Sequence, residues 1–207
     1  MFKIAILASG SGSNLQSIID SVENGFLNCK IEMVIGSREG IYAIERAKKH
    51  NIDTFIVSKK EFGDKVSYKI LELVKKKEID LIVLAGYLSI LEGKLLEEYK
   101  DKIINIHPSL IPSFCGERMY GLNVHKKVIQ SGVKISGCTV HFVNNEIDGG
   151  EIILQEAVKV YFNDTPEILQ NRVLKKEHKL LPLAIKYISE GKVKIKEGKV
   201  NILKGEE

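Results

Sequence analysis

The sequence predicts an α/β fold: a mostly parallel, doubly wound, Rossmann-like sheet with helices on both faces and an antiparallel C-terminal part. The first observation is that short apolar, β-rich runs alternate with segments of helical periodicity from Lys3 to His107. This order is typical of a parallel sheet covered by helices. The second is a change of pattern after Pro108, where two long β-rich runs are separated only by the turn-rich segment "NNEIDGG". That arrangement favours an antiparallel pair.

The first half of the chain contains the strand-like runs "KIAILAS", "IEMVIGS", "TFIVS", "DLIVLAGY" and "KIINIH". The fourth is very apolar, which fits a central strand buried on both faces. In the fifth, we expect Ile106 to face away from Asn105 and His107, because side chains alternate along a strand. Apolar residues at helical spacing predict helices between these runs. The predicted helices are "NLQSIIDSVENG", Tyr42 to His50, a segment carrying Phe62, Val66, Leu73 and Val74, and a short one around Leu91 to Tyr99.

The second half begins with an extended loop, because Pro108 and Pro112 restrict the backbone on either side of them. A short helix is predicted over "GLNVHKKVIQSG", and strands over "SGCTVHFV" and "EIILQEAVKV". Apolar residues that include Leu169 and Val173 then predict a long helix, which ends near Gly191. The closing segment "KVKIKEGKVNIL" is typical of a hairpin.

Composition favours one soluble, cytoplasmic domain. A chain of 207 residues with 44% hydrophobic content can bury one substantial core. The opening run is broken by Gly10 too soon for a signal peptide, and no later run approaches the roughly 18 apolar residues of a membrane span. Cys29, Cys115 and Cys138 form no C-x-x-C pair, so reduced thiols are expected. The formal charge of +4 is spread over helix-like segments, which indicates solvated faces and no nucleic-acid partner.

The segment "GSGSN", Gly10 to Asn14, lies between the first predicted strand and helix. In a parallel sheet this turn is at the carboxyl edge, where backbone amides and the positive end of a helix bind anions. Glycine lets a phosphate approach the backbone, and Ser11, Ser13 and Asn14 can donate side-chain hydrogen bonds. The alternative is a tight turn in which Ser13 or Asn14 caps the helix.

Nucleotide cofactors and metals are disfavoured. Leu15 stands at the third glycine of a G-x-G-x-x-G fingerprint, which argues against NAD, while Arg38 leaves an NADP module open. There is no P-loop lysine. His125 and His141 lack the His-x-His or Glu-x-x-His spacing of a zinc site, so no metal is expected.

Asn105, His107 and Asp148 form a second polar group, which the predicted fold brings to the same sheet edge. A histidine beside a carboxylate can transfer a proton, and an asparagine can donate to an oxyanion. No serine or cysteine is placed as a nucleophile. The three side chains therefore indicate direct group transfer.

The chain resembles the phosphoribosylglycinamide formyltransferase family, the folate-dependent enzymes of purine synthesis. The resemblance rests on six segments in the family's order, "ILASGSGSNLQSIID", "LAGYLSIL", "NIHPSLIPSF", "GCTVHFV", "IDGGEIILQ" and "RVLKKEHKLLP". It runs from about Phe2 to Val193. It implies a single formyltransferase domain over 1–207, with an N-terminal phosphate-binding half of about 1–100 and a C-terminal folate and catalytic half of about 101–207.

The activity that the resemblance implies is transfer of a formyl group from the cosubstrate 10-formyltetrahydrofolate to the amine of 5-phosphoribosylglycinamide, through a tetrahedral intermediate and without a metal. His107 would then donate a proton to the departing folate nitrogen, Asn105 would stabilise the oxyanion, and Asp148 would hold and charge His107. Glu177 matches a carboxylate near the glycinamide end. The positions that match the ribose-phosphate site are Ser11, Gly12, Ser13 and Asn14. Those that match the folate pocket are Lys65, Leu88, Ser89, Ile90, Leu91, Asn105 and Val143.

The sequence departs from the family's pattern at three places. Lys65 stands where many members have an arginine that contacts ligands, so the charge is kept but the bidentate geometry is not. Ser89 also replaces an arginine common in the family, and the sequence leaves the polar contact at that position open. The loop Cys115 to Gly121, "CGERMYG", is longer than in shorter members and covers the folate site.

The alternatives are a related folate enzyme or a non-catalytic nucleotide-binding module. Methionyl-tRNA formyltransferase and formyltetrahydrofolate hydrolase each carry a further domain, for which a chain of this length has no room. The sequence leaves the oligomeric state, the polyglutamate preference and the catalytic rate open.

Overall fold

The computed structural model describes residues 1–203, and the chain divides into two compact units, Met1–Asn105 and a second that begins at Ile106. The first unit contains parallel strands in the order β3-β2-β1-β4-β5. β1 (Phe2–Ala8) pairs with β2 (Cys29–Gly36) and with β4 (Leu81–Leu84), β3 (Asp53–Ile56) pairs with β2, and β5 (Ile103–His107) pairs with β4. Ile4 to Ala8 in β1 are fully buried, as a central parallel strand requires.

The helices of the first unit are α1 (Ser13–Glu23), α2 (Tyr42–Lys49), the short α3 (Lys59–Phe62), α4 (Val66–Lys76) and the short α5 (Lys94–Glu98). The longer helices, α1, α2 and α4, bury one apolar face each, whereas α3 has no buried residue. In α1 the buried side chains include Leu15, Ile18 and Ile19, at the spacing of one helix face. The register places Leu7, Leu84 and Asn105 side by side near the carboxyl ends of β1, β4 and β5. The loop between β1 and α1 therefore leaves the sheet at the edge where ligands bind in folds of this kind.

The second unit contains an antiparallel pair covered by a long helix. Its elements are α6 (Leu122–Gln130), β6 (Ile135–Phe142), β7 (Ile152–Lys159), α7 (Pro166–Ser189), β8 (Val193–Lys196) and β9 (Lys199–Ile202). β6 pairs with β7, and the register shifts between Val140 and His141. α7 begins after Thr165, whose hydroxyl accepts a hydrogen bond from the Ile168 N–H at 3.3 Å. It packs on β6 and β7 with Leu169 and Val173 fully buried.

The predicted fold class is confirmed, including the antiparallel pair and the closing hairpin. Two helix predictions are wrong in detail. The helix predicted to carry Phe62 and Val66 together is broken at Gly63, which has a φ of 53° and ends α3. The helix predicted from Leu91 begins only at Lys94, after Gly93 with a φ of 64°. Both glycines adopt the left-handed region that other residues avoid.

No helix within residues 1–203 is both long enough and apolar enough to cross a bilayer. The single domain over 1–207 stays a prediction, and residues 204–207 lie outside the described part of the chain.

Candidate active site

β5 carries two of the predicted catalytic side chains at its end. Asn105 and His107 are two residues apart in this strand, so their side chains leave it on the same side. His107 is only 4% exposed, while Asn105 is half-buried. Pro108 follows at once and has no N–H with which to extend the strand pairing. The imidazole is therefore presented at the point where regular structure stops.

Both ring nitrogens of His107 face oxygen atoms. Nε2 lies 3.0 Å from the carbonyl oxygen of Phe114, and Nδ1 lies 3.5 Å from Oδ2 of Asp148. Because carbonyl and carboxylate oxygens only accept hydrogen bonds, an imidazolium with a proton on each nitrogen suits both neighbours at once. Each ring nitrogen of His107 thus has an acceptor oxygen within 3.5 Å for a proton that it carries.

Asp148 is held by the backbone of two loops. It lies in the bend after β6 with a φ of 55°, and Gly149 and Gly150 follow it. A Cβ at Gly150 would lie 1.9 Å from the carbonyl oxygen of Phe142, so only glycine fits this bend. The Gly116 N–H donates to Oδ2 of Asp148 at 2.9 Å. The carboxylate is thus fixed beside His107 with 10% of its side chain exposed.

Two further histidines are buried in the same unit. In His141, Nδ1 lies 2.7 Å from the carbonyl oxygen of Phe142 and so carries a proton, while Nε2 lies 3.7 Å from Oδ1 of Asp148. Burial lowers the pKa of His141, and the Phe142 and Asp148 oxygens offset only part of this. Burial also lowers the pKa of His125, on α6, to about 4, and the charge of His107 adds to the effect. Burial thus favours the neutral form of both His125 and His141.

From the sequence, His125 and His141 were evaluated only as possible metal ligands. Their burial near His107 and Asp148 was not predicted. Within residues 1–203, no group of three or more His, Cys, Asp or Glu side chains is placed to hold a metal ion. The contacts from Phe114 and Gly116 were also missed. They use backbone atoms, so no residue type could have indicated them.

In the first unit, the loop Gly10–Asn14 follows β1 as predicted, and its last two residues are the first two of α1. Gly12 is the N-cap of α1 with a φ of 71°, and this cap has no side-chain capping hydrogen bond. The alternative in which Ser13 or Asn14 caps the helix is therefore wrong. The first N–H groups of a helix have no acceptor within it, so this loop presents donors of the kind that bind anions.

The positions assigned to folate differ in exposure. Leu88 and Ile90 expose 59% and 68% of their surface, whereas Leu91 is buried. The Leu88 N–H donates to Oγ of Ser9 at 3.0 Å, which connects this segment to the end of β1. Two large aliphatic side chains are thus open to an apolar ligand. Of the other positions, Lys65 is exposed, and Ser89 and Val143 are half-buried.

Glu177 lies on α7 and is buried, with 7% of its surface exposed. Burial, followed by the charges of Glu177 and Glu156, raises the pKa of the Cys138 thiol to about 12. The structure thus places Glu177 near Cys138 in the interior of the second unit. All three cysteines are free thiols, as expected.

Comparisons with known proteins identify relatives over nearly the whole chain. A family model described as formyl transferase matches residues 2–185. A Haemophilus influenzae protein named phosphoribosylglycinamide formyltransferase is 39% identical over 199 residues, which cover 95% of this chain and 92% of that protein. The crystal structure of glycinamide ribonucleotide transformylase 1 from Symbiobacterium toebii is 37% identical with a TM-score of 0.93, covering 99% of this chain and 95% of that one.

Other relatives differ in length or in name. The human trifunctional purine biosynthetic protein adenosine-3 is 38% identical over 207 residues, which cover 99% of this chain but 20% of that protein. The chain thus spans about a fifth of the length of its trifunctional relatives. A crystal structure of a formyltetrahydrofolate deformylase from Pseudomonas syringae pv. tomato is 26% identical with a TM-score of 0.90, covering 98% of this chain and 66% of that one.

Proposed function

Because the chain belongs to the formyl transferase family, we propose that it transfers a formyl group from 10-formyltetrahydrofolate to the amine of 5-phosphoribosylglycinamide. The observation that carries the proposal is the buried His107, held between the Asp148 carboxylate and the Phe114 carbonyl. The identity of 39% to a protein named for this activity supports the choice of substrates. The reaction serves purine synthesis in the cytoplasm, and its partners are two small molecules.

The three catalytic side chains have separate roles. The substrate amine attacks the formyl carbon, a C–N bond forms, and the carbonyl electrons move onto oxygen. Asn105 donates a hydrogen bond to that oxyanion. The bond from the formyl carbon to the folate nitrogen then breaks, and His107 gives the departing nitrogen its proton. The proton that the attacking amine loses passes through water to restore His107, so no proton is gained or lost overall, and the Asp148 carboxylate stabilises positive charge on His107.

The contacts of His107 indicate which nitrogen donates. Nδ1 is directed at Asp148, so the transferred proton leaves from Nε2, which in the free protein faces the carbonyl oxygen of Phe114. That contact must open before folate can receive the proton. We therefore propose that the following loop, Cys115 to Gly121, rearranges and orders over bound folate, a common role for a segment that covers a site.

Substrate binding is assigned to the remaining positions. The loop amides, with Ser11, Gly12, Ser13 and Asn14, bind the phosphate. The exposed Leu88 and Ile90 contact folate together with Leu91, Ser89, Val143 and Lys65, and Lys65 supplies a point charge in place of an arginine fork. Glu177 serves the glycinamide end.

The test is the absorbance change of 10-formyltetrahydrofolate in the presence and absence of phosphoribosylglycinamide. We expect turnover that depends on this acceptor and falls by roughly 10² to 10⁴ in His107→Ala. The matched substrate control is ribosylglycinamide, the same acceptor without its phosphate, and it should react only at much higher concentration.

The structural likeness to a formyltetrahydrofolate deformylase favours hydrolysis as the second candidate. The same assay separates the two activities. Consumption of the formyl donor at an unchanged rate without any amine acceptor would contradict the transferase and support the hydrolase.

A further inference from the structure

Two residues of α2, one in its first turn and one in its last, contact the backbone of the loop Gly10–Asn14 at successive residues. The Ala43 N–H donates to the carbonyl oxygen of Gly10 at 3.2 Å, and Nε of Arg46 donates to the carbonyl oxygen of Ser11 at 3.0 Å. Gly12 comes so close that a Cβ there would lie 2.7 Å from Cα of Ala43. Two consecutive loop carbonyls are thus turned towards α2.

The guanidinium of Arg46 is itself fixed on two other sides. Nη1 donates to Oε1 of Gln16 on α1 at 2.9 Å. The guanidinium carbon lies 4.7 Å from the centre of the Tyr42 ring, within the range of a cation–π contact. Arg46 therefore connects the loop to both flanking helices, which only a forked, planar cation can do with two of its donors at once.

The direction of each loop carbonyl decides where the next N–H points. In a trans peptide the C=O and N–H of one unit point in opposite directions. Since the Gly10 and Ser11 carbonyls face α2, the N–H groups of Ser11 and Gly12 face away from it. Neither N–H donates a hydrogen bond to any protein acceptor among the described residues. Both are therefore available to an anion in front of the loop.

We propose that Arg46 is a positioning residue of the phosphate site, which holds the peptide between Ser11 and Gly12 with its N–H directed at the substrate phosphate. The inference rests on the proposed function, which makes this loop the phosphate site. Arg46 acts through the loop, so its effect is confined to the phosphorylated substrate. Binding of folate and the chemical step do not depend on it.

The test is the kinetics of Arg46→Met, which keeps the length of the side chain but removes both hydrogen bonds. We expect KM for phosphoribosylglycinamide to rise roughly 10- to 100-fold, the range for a lost charge-assisted hydrogen bond. KM for folate and kcat stay at the parent values. Arg46→Lys keeps the charge but cannot make both hydrogen bonds at once, so its KM should lie between the KM of the parent and that of Arg46→Met.

The matched control is Lys49→Met on the same helix. Lys49 is exposed, with its Nζ 5.7 Å from the centre of the Tyr42 ring, and it makes no described hydrogen bond to the loop. The variant removes the same charge and should leave KM unchanged. An equal rise in KM for Lys49→Met, or full recovery in Arg46→Lys, would show that charge alone acts and would overturn the positioning role.

A binding measurement separates this proposal from the proposed function. Inorganic phosphate is titrated into the ¹⁵N-labelled parent and the folded Arg46→Met protein, and the amide resonances of Ser11 and Gly12 are followed. We expect both to shift in the parent and to require at least 10-fold more phosphate in the variant. A parent without turnover that still shows this difference would refute the proposed reaction and keep the role of Arg46. If Arg46→Met binds phosphate and has a KM as in the parent, the positioning role of Arg46 is refuted and the proposed reaction is unaffected.

Discussion

Asp148→Asn removes one charge and leaves the shape of the side chain unchanged. The amide oxygen in the position of Oδ2 still accepts from the Gly116 N–H, which lies 2.9 Å away in the parent. The NH₂ group in the position of Oδ1 then lies near His141, whose Nε2 is 3.7 Å from Oδ1 in the parent. Since the shape of the side chain and the Gly116 hydrogen bond are kept, we expect the free energy of unfolding to change by no more than about 1 kcal/mol.

The activity of the same variant should fall steeply. In the parent, Oδ2 of Asp148 lies 3.5 Å from Nδ1 of His107. At that distance a carboxylate and a protonated imidazole attract each other by about 5 kcal/mol at an effective dielectric constant of about 20. Asparagine carries no charge with which to stabilise positive charge on His107 during proton transfer. We expect kcat at saturating substrates to fall by roughly 10² to 10⁴, equivalent to about 3 to 5 kcal/mol of activation free energy.

The partnership is tested by comparing Asp148→Asn, His107→Ala and the double variant. Because the two groups act as one unit, the double variant should be little slower than the slower single one. Glu146→Gln is the control, since Glu146 is exposed in the same bend and the change also removes one negative charge. If the two single losses multiply in the double variant, or if Glu146→Gln is equally slow, the proposed pairing is wrong.

Three further changes address other parts of the molecule. Asn14→Asp should weaken the binding of phosphoribosylglycinamide far more than the binding of folate, as measured by calorimetry, because a carboxylate in the loop Gly10–Asn14 repels phosphate. Equal losses of affinity for the two ligands would argue against this loop as the phosphate site. Trypsin should cut after the exposed Arg118 in the free protein and more slowly with a folate analogue, and cutting at the same rate would contradict ordering of the loop. For His125, the folded-state pKa of about 4 lies below the unfolded value of about 6.5, so the unfolded state binds the proton first and stability is lost as pH falls from about 6.5 to 4. His125→Gln should reduce that loss by up to roughly 3 kcal/mol in urea unfolding at pH 4 and pH 7; an unchanged pH dependence would mean that His125 does not cause it.

Most of the fold was predictable because its signals are local. The apolar run of β1, the periodicity of α1 and the turn-rich segment between β6 and β7 each specify an element without reference to the rest of the chain. The break between α3 and α4 was not predictable from periodicity, since the apolar spacing of Phe62 and Val66 continues across Gly63. There the backbone conformation of one glycine overrides the pattern of the side chains.

The site was predictable where it depends on residue type and not where it depends on backbone. His107 is recognisable as a histidine at the end of β5 and Asp148 as a carboxylate in the turn-rich segment between β6 and β7, and the structure brings them together. The Phe114 carbonyl and the Gly116 N–H belong to every residue type alike, so nothing in the sequence indicates them. The same applies to Arg46, because its long side chain reaches the loop through tertiary packing of α2 and not through any motif spacing.

The close approach of Gly12 to Ala43 limits which substitutions the two positions can accept. The two positions must stay small together, so a larger residue at either one displaces the other, and their mutational effects are coupled. Ala43 has no functional group, yet a bulkier side chain there would move the loop carbonyls and amides as a unit. An engineering library restricted to residues with chemistry of their own would omit this position. In a search for altered phosphate affinity, Ala43 belongs among the first sites to vary.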